Sequence, residues 1–227
     1  MPLHSIQSLP SGALLGRWHL LEGPTDLWPQ LAHATAYAPL LPARALGPRQ
    51  AQWLAGRLLV QHLLHAAGYP PVPLHNNEAG RPYLTGPAPQ PSISLSHAGA
   101  WVVALLAAPG TPVGLDVETV RDKAQRIARK FLNDTELAAT QRLAEALPAD
   151  ITLLYTTLWS AKETLFKLAG RPGIIFRENL LLDLPAPPWP AASQLAARLN
   201  LPPALETRHQ ICYLQPEPDT VLTYCVG

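Results

Sequence analysis

Apolar residues recur at helical spacing in two long segments of this chain. Residues 49–67 (RQAQWLAGRLLVQHLLHAA) predict an amphipathic helix, stopped by Gly68 with Pro70 behind it. Farther on, Ile151, Leu154, Leu158, Ala161, Leu165 and Leu168 fall on one stripe at about 100° per residue. They predict a second long helix over 151–169, closed by Gly170 and Pro172. Shorter apolar runs, Ile93 to Ser96 and Trp101 to Ala107, bracket His97-Ala98-Gly99 and suit two strands and a turn. Val113 to Val117 predicts a further strand, 122–131 and 134–147 two helices, and the alternating runs 207–214 and 220–226 a hairpin.

Prolines punctuate the pattern, 26 of them in 227 residues. They mark 69–92 as a connection and 185–203 as loop with one short helix. Pro109-Gly110-Thr111-Pro112 is the natural boundary, giving an N-terminal α/β half, 1–110, and a C-terminal α/β half, 111–227. Each half has a long helix that stops at Gly-x-Pro and carries short strands.

A hydrophobic content of 48%, a charged content of 15% and a net charge of +1 describe a globular chain with no global pull toward nucleic acid or anionic membrane. Any basic site must be local. The start, Met1-Pro2-Leu3-His4-Ser5, lacks the basic and apolar regions of a signal peptide, and the run Trp101 to Pro109 is too short to span a bilayer. The expectation is a cytoplasmic protein in which Cys212 and Cys225 are reduced and packed, rather than joined as a cross-strand disulfide.

In Val113-Gly114-Leu115-Asp116-Val117-Glu118, residues two apart share a face of a strand, so Asp116 and Glu118 stand side by side. Like charges that close need a cation, a proton or a basic group between them. A hard divalent ion, magnesium above all, prefers a few carboxylates plus phosphate oxygens. On the second long helix Ser160, Glu163 and Lys167 lie opposite the apolar stripe, flanked by Trp159 and Phe166. Two of the four lysines of the chain, Lys162 and Lys167, are here, a hint that a flexible ammonium serves a phosphate. Ser94-Leu95-Ser96-His97 can bind phosphate or satisfy local backbone groups, and Gly80-Arg81-Pro82 by itself is a turn.

Taken in order, Gly-Arg-Pro at 80–82, Ser-Leu-Ser-His at 94–97, Gly-Leu-Asp-Val-Glu at 114–118 and Trp-Ser-Ala-Lys-Glu-x-x-x-Lys at 159–167 resemble the Sfp-type 4'-phosphopantetheinyl transferases. Leu54-Ala55-Gly56-Arg57 is similar to that family too, and the likeness runs from about 49 to 170. The resemblance implies an α+β, sandwich-type fold: a pseudo-twofold monomer of two similar α/β halves, with coenzyme A in the cleft between them. It implies magnesium held by Asp116, Glu118 and Glu163. Lys162 and Lys167 would serve as phosphate-binding lysines, His97 and Ser96 would lie at the 3'-phosphate region, and Arg57 and Arg81 on the nucleotide side. The reaction implied is transfer of phosphopantetheine to a serine of an apo acyl or peptidyl carrier protein, releasing adenosine 3',5'-bisphosphate. Lys167 would stabilise the developing charge, and Glu163 would be the general base, with Glu118 or a bound water able to replace it. Arg81 stands where many relatives have lysine, and Thr164 where a smaller residue is common.

Carrier proteins as a class are acidic. Arg121, Lys123, Arg126, Arg129 and Lys130, with Ile127 and Phe131 as apolar positions, offer a docking segment, although an ordinary solvated helix face has the same look. Glu136 and Glu145 are expected at the surface. Two rival functions share these motifs: a magnesium phosphotransferase with another acceptor, and a non-catalytic module that holds carrier proteins. No GxSxG, Walker A or GxGxxG is present.

Overall fold

The computed structural model describes residues 3–41, 47–87, 89–146, 151–186, 194–204 and 206–227. Contacts divide the chain into two units, 1–113 with Val226 and 114–225 with Gly227. Among the described residues no helix is long and apolar enough to cross a membrane.

The N-terminal unit is built on an antiparallel sheet of order β1-β2-β6-β5, formed by Leu3–Ser8 (β1), Leu14–His19 (β2), Ser92–Ala98 (β5) and Trp101–Ala107 (β6). Two short helices, Pro24–Leu27 (α1) and Ala34–Tyr37 (α2), precede the long helix Pro48–Ala66 (α3). Pro48 opens α3 where a missing N–H costs nothing, and Gly68, at φ 76°, follows its end. Leu54, Leu58 and Leu63 of α3 share one core with Val102, Ala104 and Leu106 of β6. β1 and β2 escape the sequence pattern because β1 buries no residue fully and shows no clean alternation. The connection 69–92 holds a small hairpin, Leu74–Asn76 (β3) and Pro82–Leu84 (β4), with Gly80-Arg81 in its turn.

The C-terminal unit carries a five-stranded sheet of order β7-β11-β10-β9-β8: Val113–Thr119 (β7), Leu180–Asp183 (β8), Gln194–Leu199 (β9), Thr207–Glu217 (β10) and Thr220–Val226 (β11). Its helices are Lys123–Arg126 (α4), Ala128–Phe131 (α5), Asp134–Ala146 (α6), Ile151–Ala169 (α7) and Phe176–Asn179 (α8). Leu154, Leu158, Ala161, Leu165 and Leu168 of α7 are all buried, as the stripe requires.

Two expectations need correction, while that of free, packed thiols holds, Cys225 being buried and Cys212 half-buried. The single helix over 122–131 is two short ones, broken at Ile127, so Ala124, Ala128 and Phe131 can all face the core. Residues 194–199, within the proline-rich stretch, form a strand, because Leu195, Ala197 and Leu199 alternate inward between two neighbouring strands; residues 187–193 of that stretch lie outside the described ones. The C-terminal thiols point to opposite faces: Cys212 sits across from Tyr224, one register step from Cys225, which is buried in the core.

Candidate active site

Gly114 sets the geometry of the C-terminal site. An added Cβ there would stand 2.1 Å from the carbonyl oxygen of Thr164 and 2.9 Å from the amide nitrogen of Leu168. Only glycine lets β7 press backbone-to-backbone on α7. Alternation along β7 then turns Asp116 and Glu118 to the same side as Gly114. Lys167, at the last turn of α7, meets Asp116 with Nζ 2.8 Å from Oδ1; the lysine side chain is 26% exposed and the aspartate 6%. Ser160 and Thr164 share hydrogen bonds with the Thr223 hydroxyl at 2.8 and 2.7 Å, fastening the helix to β11, the strand next to β7.

Electrostatics shows how close the acids stand. Burial first, then Asp116 and Glu118, push the Glu163 carboxyl up to about 7 against the opposing pull of Lys167. Glu118 is also raised, by burial and then by Asp116, while the indole N–H of Trp159, donating to Oε1 at 2.8 Å, works the other way. Lys123 lowers both glutamates, so an exposed residue of the basic run reaches the field of the site. Among the described residues no group of three or more His, Cys, Asp and Glu side chains stands ready-arranged around a metal position. The donor chemistry nonetheless suits a hard cation: three carboxylates, crowded and desolvated, whose mutual repulsion a dication would relieve.

Lys162 departs from expectation. Its ammonium is fully buried, 2.8 Å from both oxygens of Glu136, and also donates to the carbonyls of Phe176 and Leu180. It cannot reach a phosphate from solvent. Glu136, expected at the surface, is 3% exposed. Besides Lys162 it accepts from the backbone N–H of Asn133 and of Leu182, and Asn133 returns a bond to the Glu136 amide. This is a capping box at the start of α6, a pattern legible in Asn133-Asp134-Thr135-Glu136. Glu145 is exposed.

The remaining residues singled out in the sequence belong to the N-terminal unit. Ser96 is buried and His97 exposed on β5, opposite Val103 and Val102 of β6. Arg81 is exposed in the β3–β4 turn, its amide donating to Asn77 Oδ1. Arg57 is only 4% exposed, lies over the Trp53 ring at 3.2 Å with Tyr37 at 5.4 Å, and burial lowers its pKa to about 10. Its guanidinium is packed into the unit rather than displayed.

In the basic run, Arg121, Lys123, Arg126, Arg129 and Lys130 are all exposed. Phe131, expected to share that surface, is buried, and Ile127 is half-buried. An exposed aromatic of this unit lies elsewhere: Phe166, 38% exposed, stacks on Phe176, which stacks on Trp159.

A fold of two α/β units with paired acids on a strand and a Glu-x-x-x-Lys helix against it agrees with two family models. Residues 36–107 match the 4'-phosphopantetheinyl transferase N-terminal domain, and residues 112–210 match the 4'-phosphopantetheinyl transferase superfamily. The chain belongs to that superfamily. Among its relatives, a 4'-phosphopantetheinyl transferase of Bacillus subtilis is 35% identical over 94 residues, 41% of this chain and 39% of the relative. The transferase psf-1 of Bacillus pumilus is 29% identical over 120 residues, 52% of this chain and 49% of the relative. The transferase AcpT of Escherichia coli O157:H7 is 32% identical over 126 residues, 55% of this chain and 60% of the relative. The matches therefore span about two-fifths to three-fifths of these curated relatives.

Proposed function

We propose that this chain transfers the 4'-phosphopantetheine arm of coenzyme A to a serine of an acyl or peptidyl carrier protein, with magnesium as the metal. The observation that carries the reading is the gathering of Asp116, Glu118 and Glu163 with Lys167 on one strand and one helix, although 51 residues separate Asp116 from Lys167. Family membership and the transferase activity for which the relatives are named support the same reaction.

On this reading Asp116, Glu118 and Glu163 would hold magnesium, which when bound supplies charge neutralisation to a pyrophosphate. Lys167 contributes an ammonium for the same oxygens, partly exposed and held on Asp116. Glu163 accepts the proton of the incoming serine in this reading. The serine oxygen bonds to the β-phosphorus, the bond from that phosphorus to the bridging oxygen breaks, and adenosine 3',5'-bisphosphate departs with the electron pair. Exposed Lys123, Arg126, Arg129 and Lys130 give an acidic acceptor a surface to approach.

A panel of apo carrier proteins, incubated with the chain, coenzyme A and magnesium and then weighed by mass spectrometry, tests the proposal. One phosphopantetheine added to a serine is the expected result. Carrier bound but never modified would overturn it, as would coenzyme A consumed equally well without carrier.

A further inference from the structure

The motif tryptophan, Trp159, has a polar end as well as an apolar body, and both are held. Its indole N–H donates to Glu118 Oε1 at 2.8 Å, across 41 residues of sequence. The ring is half-buried in an aromatic stack: Phe131 meets it edge-on, with centroids 5.1 Å apart at 76°, and Phe176 lies over it at 5.8 Å and 19°. A ring wedged on two sides cannot swing its N–H away. Trp159 lies on α7 one turn before Glu163. The hydrogen bond therefore ties an acid of the strand to the helix segment that carries another acid.

We infer that Trp159 is a positioning residue: it fixes the rotamer of Glu118 by occupying Oε1 and leaves Oε2 as the oxygen offered to a divalent cation. This rests on the magnesium reading above. A carboxylate with free rotamers would lose conformational entropy each time the ion binds. Hydrogen bonds to ligating groups commonly shift metal affinity by about 10–100-fold when removed.

The test is a Mn²⁺ titration of the full chain without coenzyme A, free Mn²⁺ being read by electron paramagnetic resonance. Trp159→Phe keeps the stack and removes only the N–H. Its Mn²⁺ dissociation constant should rise by about tenfold with the far-ultraviolet circular dichroism unchanged. In a Glu118→Ala background the same change should cost nothing further, because the tryptophan acts only through that carboxylate. Unchanged affinity in Trp159→Phe overturns the assignment, as does an equal loss whether or not Glu118 is present. Should Trp159→Phe fail to fold, Phe176→Leu loosens the indole while keeping its N–H; a smaller loss is then expected, and none refutes the role. A wild-type chain that binds no Mn²⁺ sinks the magnesium reading itself, whereas binding that ignores Trp159 sinks this inference alone.

Discussion

Both units lay a 19-residue helix on a sheet, and both put a glycine of a strand beneath that helix. In the N-terminal unit the strand glycine is Gly16, and an added Cβ would meet the Leu59 methyl Cδ1 at 2.8 Å. In the C-terminal unit it is Gly114, and the first obstacle is a backbone oxygen at 2.1 Å. One helix rides on leucine side chains; the other touches the strand itself. The same contrast holds for the buried cation of each helix. Arg57 rests on aromatic faces with an asparagine as distant partner, whereas Lys162 meets a complete carboxylate. The scaffold is shared, but only the C-terminal unit is drawn tight enough to crowd acids together.

The contrast can be broken most directly by activity. Asp116→Ala should lower turnover by about 10²–10³-fold, because it removes a carboxylate that would hold the charge-neutralising magnesium, measured as the rate of carrier mass gain. Arg57→Met should lower it far less, and equal losses would place the chemistry on both units. Stability gives the next effect. Lys162→Met leaves Glu136 buried without its cation and should cost about 3–5 kcal/mol in urea unfolding, most of it regained in Lys162→Met/Glu136→Leu. Arg57→Met should cost only about 1–2 kcal/mol, the loss of a desolvated cation–π contact.

The glycines sharpen the comparison further. Gly114→Ala forces strand from helix and should cost about 1–3 kcal/mol together with a fall in turnover. Gly16→Ala needs only a methyl to move and should do less on both counts; the reverse order in melting and rate measurements would refute the difference between the interfaces. The smallest effect is expected at the surface. Charge reversal at Arg126 and Arg129 should raise the carrier KM by a few-fold, roughly the scale of rim charges, and leave the coenzyme A KM unchanged. An unaltered carrier KM would remove the basic run from docking.

Much of this was legible in the chain. The apolar stripe from Leu154 to Leu168 located α7, since period and burial coincide. The motif Asp116-x-Glu118 and the pair Glu163, Lys167 pointed to one site. Lys162 is illegible for a physical reason: from one face of a helix, an ammonium headed for a phosphate and one headed for a buried carboxylate look alike. The deciding partner, Glu136, lies 26 residues away and announces itself only as a helix cap. Phe131 was placed on the surface by a continuous helix that in fact breaks at Ile127. β9 was hidden by neighbouring prolines even though Leu195, Ala197 and Leu199 alternate cleanly. Trp159 was noticed as bulk, while its hydrogen bond depends on a tertiary approach that spacing does not encode.

The position of β11 has a consequence for how the protein is made. This strand lies between β7 and β10, and among the described residues β7 has no other neighbour in its sheet. A nascent polypeptide elongated only to residue 217 would carry Asp116 and Glu118 on a ribbon with nothing to pair with. The acids are translated about a hundred residues before the strand that pairs with theirs, so a chain cut short of residues 220–226 would leave β7 without that partner.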